Sequence, residues 1–215
     1  MNYIEERAYK TAEHLLQIKA IKLNPSNPFT WSSGWKSPIY CDNRKTLSYP
    51  QIRTYLRQEM VKLIEEEFGD VDVIAGVATG AIALGALVAQ DIGLPFVYVR
   101  GAEKKHGLGN QIEGVVEAGQ SVVVVEDLIS TGKSSLAAVD ALRAAGCQVK
   151  GMVAIFTYGF PQAEKAFQEA KCKLYTLSSY PYLIKHALES DYIFAAQEEL
   201  LSKWREDPAN WGKEK

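Results

Sequence analysis

Val122-Val123-Val124-Val125-Glu126-Asp127-Leu128-Ile129-Ser130-Thr131-Gly132-Lys133-Ser134-Ser135 is the stretch that decides how this chain folds. Four β-branched residues in a row read as a strand buried on both faces, as in the interior of a parallel sheet. Two carboxylates stand at its C-terminal end, followed by a polar turn around Thr131-Gly132 and then a helical repeat. In open α/β sheets, ligands bind beyond the C-terminal ends of the strands. A turn of small residues there presents backbone N–H groups at a helix N-terminus, which suits a phosphate. Carboxylates repel a phosphate, so Glu126 and Asp127 need partners of their own: ligand hydroxyls, or a cation that travels with the ligand. Together these features point to a sugar phosphate with free hydroxyls, carried with magnesium. Gly132-Lys133-Ser134 matches the tail of a P-loop, but that motif needs glycine where Asp127 stands. The P-loop is excluded.

A chain of 215 residues suits one domain with a sizeable core. Its formal charge of −2 supplies no basic field for nucleic acid or a membrane surface, so counter-charges for a polyanion must be local. Cys41, Cys147 and Cys172 are widely spaced and show no metal-ligand spacing, which implies thiols in a reducing compartment. No leader-type apolar region opens the sequence, and no run approaches the roughly 20 apolar residues of a membrane span. The expectation is a cytoplasmic protein.

Working outward, residues 3–20 and 49–68 carry apolar side chains at helical spacing. Strands are expected over 71–77, 96–100, 149–158 and 172–177, and helices over 81–92, 133–145 and 161–171. Residues 81–92 are apolar on nearly every side, so that helix is expected to be sandwiched within the fold. One or two further helices follow Pro181. Strand–helix alternation predicts an α/β fold with a central parallel sheet of about five strands flanked by helices. Two segments break the alternation. Ser32 to Arg44 has turn chemistry first and short strand character after, and reads equally as a surface hairpin or a binding surface. Gly101 to Gly114 has no period, several glycines, and cations at Lys104, Lys105 and His106; such a loop reads as a lid over an anionic group.

Three motifs resemble one family. Val122–Ser135 resembles the 5-phosphoribosyl 1-diphosphate (PRPP) motif of type I phosphoribosyltransferases. Arg100 with Lys104-Lys105-His106-Gly107 is similar to the mobile loop of the orotate phosphoribosyltransferases, and Ser33-Gly34-Trp35-Lys36-Ser37-Pro38-Ile39-Tyr40 to their Ser-Gly-x-x-Ser-Pro-x-Tyr segment. The resemblance implies a type I phosphoribosyltransferase fold in a single domain over 1–215, with a small N-terminal hood over about 1–48 and a core sheet over about 70–180. It implies an Mg2+-dependent transfer of phosphoribose from PRPP to N1 of orotate, giving orotidine 5′-monophosphate and diphosphate in UMP biosynthesis.

The same resemblance assigns residues. Glu126 and Asp127 would meet the ribose hydroxyls, directly or through magnesium-bound water, with the metal held mainly by PRPP. Leu128 and Ile129 would belong to the PRPP-binding stretch, and Ser130, Thr131, Gly132, Lys133 and Ser134 would wrap the 5′-phosphate. Arg100, Lys104 and His106 would hold the diphosphate, the lid coming from the neighbouring subunit of a homodimer, and Lys104, His106 and Asp127 would be catalytic. Ala78-Thr79-Gly80 matches the small diphosphate loop, and Ser130 and Lys22 the orotate contacts. Two positions depart from the pattern: Gly101 replaces a lysine, and Phe156-Thr157-Tyr158-Gly159 stands where many relatives carry the arginine for the orotate carboxylate. Arg44 and backbone N–H groups are the candidates for that contact. A purine or uracil phosphoribosyltransferase is disfavoured by the Ser33–Tyr40 segment and by Lys104 and His106. A PRPP-sensing nucleic-acid regulator is disfavoured by the charge.

Overall fold

The computed structural model describes residues 2–31, 33–101 and 111–212. In chain order the elements are α1 (Tyr3–Gln17), β1 (Ile21–Leu23), β2 (Phe29–Thr30), β3 (Lys36–Ser37), β4 (Ile39–Cys41), a 3-10 helix (Asn43–Ser48), α2 (Pro50–Phe68), β5 (Val73–Val77), α3 (Ile82–Ile92), β6 (Phe96–Val99), β7 (Ile112–Glu113), β8 (Ser121–Ile129), α4 (Lys133–Ala144), β9 (Gln148–Thr157), α5 (Pro161–Glu169), β10 (Leu174–Ser179), α6 (Tyr180–Glu189) and α7 (Ala195–Glu206). Two compact units form, Leu47–Leu177 and the described residues of Met1–Thr46 with Ser178–Lys215.

The larger unit is built on a six-stranded sheet in the order β10-β9-β8-β5-β6-β7. Strand β8 runs parallel to both β5 and β9, with Val73 opposite Val122 and Val125 opposite Val153, and β5 runs parallel to β6. Val122 to Val125 have no exposed surface. Burying each such side chain contributes roughly 1.5–3 kcal/mol relative to leaving it in water. Above the sheet, α3 approaches β5 closely because a Cβ on Gly76 would lie 2.7 Å from the Ala81 carbonyl oxygen, and one on Gly85 2.8 Å from the Phe96 ring.

Two expectations need correction. The sheet has six strands, not five: Ile112–Glu113 pairs antiparallel with Tyr98–Val99 inside the stretch read as structureless. A two-residue strand leaves no period to read, and buried Ile112 is its one apolar signal. Helix α3 is not covered on nearly every side. Leu84, Gly85, Val88 and Ala89 are buried, Ala86 and Leu87 half-buried, and Ala83 and Gln90 exposed. Apolar composition set the expectation; α3 packs against both the sheet and α2, and leaves exposed the strip at Ala83 and Gln90.

The smaller unit packs α1 against α6 and carries two antiparallel pairs, β1 with β4 and β2 with β3. Asn2 and Glu5 close a capping box at the start of α1. Ser178 Oγ donates to the Ala8 carbonyl at 2.8 Å, and Trp204 of α7 is fully buried. Among the described residues no helix is long and apolar enough to cross a membrane. The three cysteines are thiols rather than disulfides.

At the N-terminal edge of the sheet, Asp72 Oδ2 accepts from the Ser121 N–H at 2.7 Å and from Ser121 Oγ at 2.6 Å. These bonds to Ser121 hold the Asp72 carboxyl below its ordinary pKa. A depressed folded-state pKa adds stability above the unfolded value of about 3.9, lost as pH falls through the folded one. Asp72→Asn is therefore expected to melt below the parent protein at pH 7, with the gap closing once the pH drops under about 4. Thermal melts from pH 3 to 7 check this; a gap that ignores pH would refute the ionic contribution.

Candidate active site

Strand order locates the site before any side chain is considered. From β5 the chain crosses through α3 to β6 on one side, and β8 then inserts on the other side of β5. At such a reversal doubly wound sheets bind ligands in the crevice beyond the C-terminal ends of the strands, here those of β5 and β8. The loops bordering it are Ala78-Thr79-Gly80, whose first peptide is cis, and Ser130-Thr131-Gly132. They are near enough that a Cβ on Gly80 would collide with the Asp127 carboxylate. Glycine at 80 is what lets the acid occupy that place.

The acid pair divides by burial. Asp127 is half-buried, whereas Glu126 is 4% exposed. Glu126 Oε1 accepts from the Asp127 N–H at 3.0 Å, and Oε2 from Ser135 Oγ at 2.9 Å. Burial, then the adjacent Asp127 charge, push the Glu126 carboxyl well above the usual carboxylate range. Helix α4 begins beyond the pair. Gly132 takes the left-handed conformation at φ +79°, where a Cβ would also press to 2.9 Å from the Phe167 ring. No side chain caps α4 and no acid lies in its first turn. The first N–H groups of a helix have no intrahelical acceptor, and its dipole favours an anion there.

Around this turn Ser130 and Thr131 are half-buried, Lys133 and Ser134 exposed, and Leu128 half-buried. The Ile129 side chain lies in the hydrophobic core, so its backbone alone can meet a ligand. At the end of β6, Arg100 Nη1 pairs with Glu113 Oε1 at 3.2 Å. Lys104 and His106 lie outside the described residues.

In the smaller unit Lys22 sits opposite Tyr40 across the β1–β4 pair, and Tyr40 is exposed. Ser37 is fully buried, its Oγ donating to the Ile39 carbonyl at 2.7 Å. Arg44 Nε pairs with Asp42 at 2.7 Å. In place of the familial arginine, Tyr158 is buried, stacked on Phe160 at 5.3 Å and edge-on to Phe156 at 5.6 Å. Its N–H donates to the Ile129 carbonyl, and the Gly159 N–H to Thr157 Oγ1. These two backbone donors are engaged within the fold.

The chain matches the phosphoribosyl transferase domain model over residues 49–178. It is 60% identical over 201 residues to an orotate phosphoribosyltransferase of Porphyromonas gingivalis, covering 94% of this chain and 96% of that one. The chain belongs to the orotate phosphoribosyltransferase family. An orotate phosphoribosyltransferase of Listeria monocytogenes is 51% identical over 204 residues, covering 95% and 98% of the two chains. The crystal structure of orotate phosphoribosyltransferase from Aeropyrum pernix superimposes with a TM-score of 0.73 at 25% identity, covering 85% of this chain and 99% of that one. The type I phosphoribosyltransferase fold expected from the sequence is thereby established for this family member.

Ser135 and Glu113 take roles that only the fold supplies, and Gly80 gains a reason that its loop motif does not show. Ser135 stood in the opening stretch without a role; its bond to Glu126 needs the helix to turn back over the strand. Glu113 pairs with Arg100 across a hairpin the sequence does not announce. Gly80 was read as part of a small loop, whereas its reason is the Asp127 carboxylate beside it. Gly80→Ala should displace the Asp127 carboxylate and lower kcat/KM for PRPP by roughly 10²-fold, the scale of a displacement of about 1 Å; kinetics within twofold of the parent would count against a role for that approach. Glu126 has a raised folded-state pKa, so its share of stability is full below its unfolded pKa and lost as pH rises through the folded one. Glu126→Gln is expected to raise the melting temperature over the parent by an increment that grows from pH 5 to pH 8. A constant or inverted increment would contradict this.

Proposed function

We propose that the crevice between β5 and β8 binds PRPP, and that the enzyme transfers its phosphoribosyl group to N1 of orotate. The observation that carries the reading is the uncapped, acid-free N-terminus of α4 set beside the half-buried Asp127. An anion-accepting helix end and a carboxylate for hydroxyls are the two halves of a sugar phosphate site. Residues Ser130 to Ser134 take the 5′-phosphate through their N–H groups and hydroxyls. Asp127 takes the ribose diol. Glu126 stands behind it, fixing the Asp127 backbone and the first turn of α4 through Ser135.

Displacement at the anomeric carbon forms the N1–C1′ bond as the bond from C1′ to the diphosphate oxygen breaks. The ring gains positive charge in the transition state and the leaving diphosphate gains negative charge. Donors fixed where that charge develops stabilise the transition state more than the ground state. We assign this role to Arg100, Lys104 and His106, and to the Ala78–Gly80 loop, whose Ala78 N–H donates to the Val99 carbonyl at the end of β6. Glu113 restrains Arg100 through one of its five N–H donors, which holds the guanidinium at the end of β6. Closure of the lid over the sugar excludes water, which would otherwise compete with orotate.

Among the described residues no group of three or more His, Cys, Asp and Glu forms a metal cage. One accessible carboxylate, Asp127, fits a magnesium ion that takes most of its ligands from substrate phosphates and water. Bound there with PRPP, magnesium supplies charge neutralisation for the diphosphate. Lys22 and Ser130 are assigned to orotate, and Arg44 is the candidate for its carboxylate. We place the enzyme in the cytoplasm as a homodimer whose lids are shared between subunits.

The test follows the loss of orotate absorbance with PRPP and magnesium, with uracil and hypoxanthine as alternative acceptors. Consumption of orotate is expected, and equal or greater use of another base would overturn the assignment. Asp127→Asn and Lys104→Ala should each lose most turnover, while mixed subunits of the two recover part of it. Absence of recovery in verified hybrid dimers would confine each lid to its own subunit.

A further inference from the structure

The smaller unit contains an aromatic stack with a direction. It begins at α6 and α7, where the Tyr180 hydroxyl donates to the Leu201 carbonyl at 2.9 Å and Arg205 lies over the Tyr180 ring at 5.5 Å. Tyr180 packs on fully buried Trp204 at 5.9 Å between ring centres, and Trp204 meets Trp31 edge to face at 5.6 Å and 79°. Trp31 in turn stacks on Trp35 at 6.3 Å and 19°, closing the turn between β2 and β3. Rings at these separations and angles attract beyond the area they bury.

The stack ends on backbone. Trp31 Nε1–H donates to the Ile39 carbonyl at 3.0 Å, and Ser37 Oγ donates to the same oxygen at 2.7 Å. Two donors on one carbonyl fix the peptide that leads directly into Tyr40. Across the β1–β4 pair Tyr40 faces Lys22, and both side chains lie opposite the buried face held by Ile21 and Ile39. Beyond α7 the chain returns to the same hairpin: a Cβ on Gly212 would lie 3.5 Å from Lys36 Cβ.

We propose that α7, acting through Trp204 and Trp31 on the Ile39 carbonyl, is a positioning element for the Lys22–Tyr40 edge and thereby sets affinity for the base acceptor. The inference deepens the orotate reading and rests on it. A general packing role would disturb both substrates alike. The stack acts on one peptide beside one pair of residues, and the acid pair and phosphate turn belong to the other unit, Leu47–Leu177. Its loss therefore weakens orotate and spares PRPP.

Trp31→Phe keeps an aromatic ring against Trp204 and removes the indole N–H. The expected result is an orotate KM raised roughly threefold to tenfold, the effect of one hydrogen bond's net contribution. The PRPP KM and kcat should stay within twofold, with the far-UV spectrum unchanged. Trp204→Phe, which shortens the stack from the other end, is held to the same split and stands in if Trp31→Phe does not fold. An orotate KM within twofold of the parent, or both KM values rising together, overturns the proposal. A parent enzyme that fails to consume orotate defeats the functional reading instead, so the two failures are distinct.

Discussion

Val122 to Val125 cannot meet water on either face of the sheet, and this forces β8 into its interior with parallel neighbours on both sides. Once there, the residues that follow it emerge at the C-terminal edge beside the end of β5. The Gly80–Asp127 approach is the local result: a carboxylate from one strand end occupies the room that a missing side chain leaves at the other. The Ser130–Gly132 turn, the acid pair and the small loop are therefore not independent features. They share one crevice because one apolar strand sits where it does.

That arrangement also explains why two adjacent acids do different work. Alternation along an extended strand sends consecutive side chains to opposite faces. Asp127 reaches the crevice while Glu126 points into the protein, where Ser135 and the Asp127 N–H occupy its oxygens. A buried carboxyl beside another acid favours its neutral form, and burial with the Asp127 charge pushes Glu126 that way. The N-terminus of α4 likewise carries no acid of its own.

The smaller unit solves a different problem with different means. Its strands are two or three residues long, too short to hold a binding edge by ladder bonds alone. Aromatic rings from distant parts of the chain supply the missing rigidity, with Trp204 as the buried centre. Ser37, a residue of the motif that suggested orotate, is spent inside this scaffold rather than on a ligand.

The sequence by itself determined the α/β class, the central strand, the turn and helix after it and the family, because each is written in contiguous residues. Apolar runs, 3.6-residue periods and motif spacing are local signals, and burial of β-branched side chains leaves few alternatives for such a strand. Only the tertiary structure decided which of Glu126 and Asp127 faces the crevice and which partner holds Arg100. It alone paired Ile112–Glu113 with the sheet edge, left the outer face of α3 uncovered, and turned Tyr158 into an aromatic ladder. Each of these depends on what the rest of the chain brings alongside. A residue's type and its immediate neighbours do not specify its partners across the fold, so tertiary packing had to.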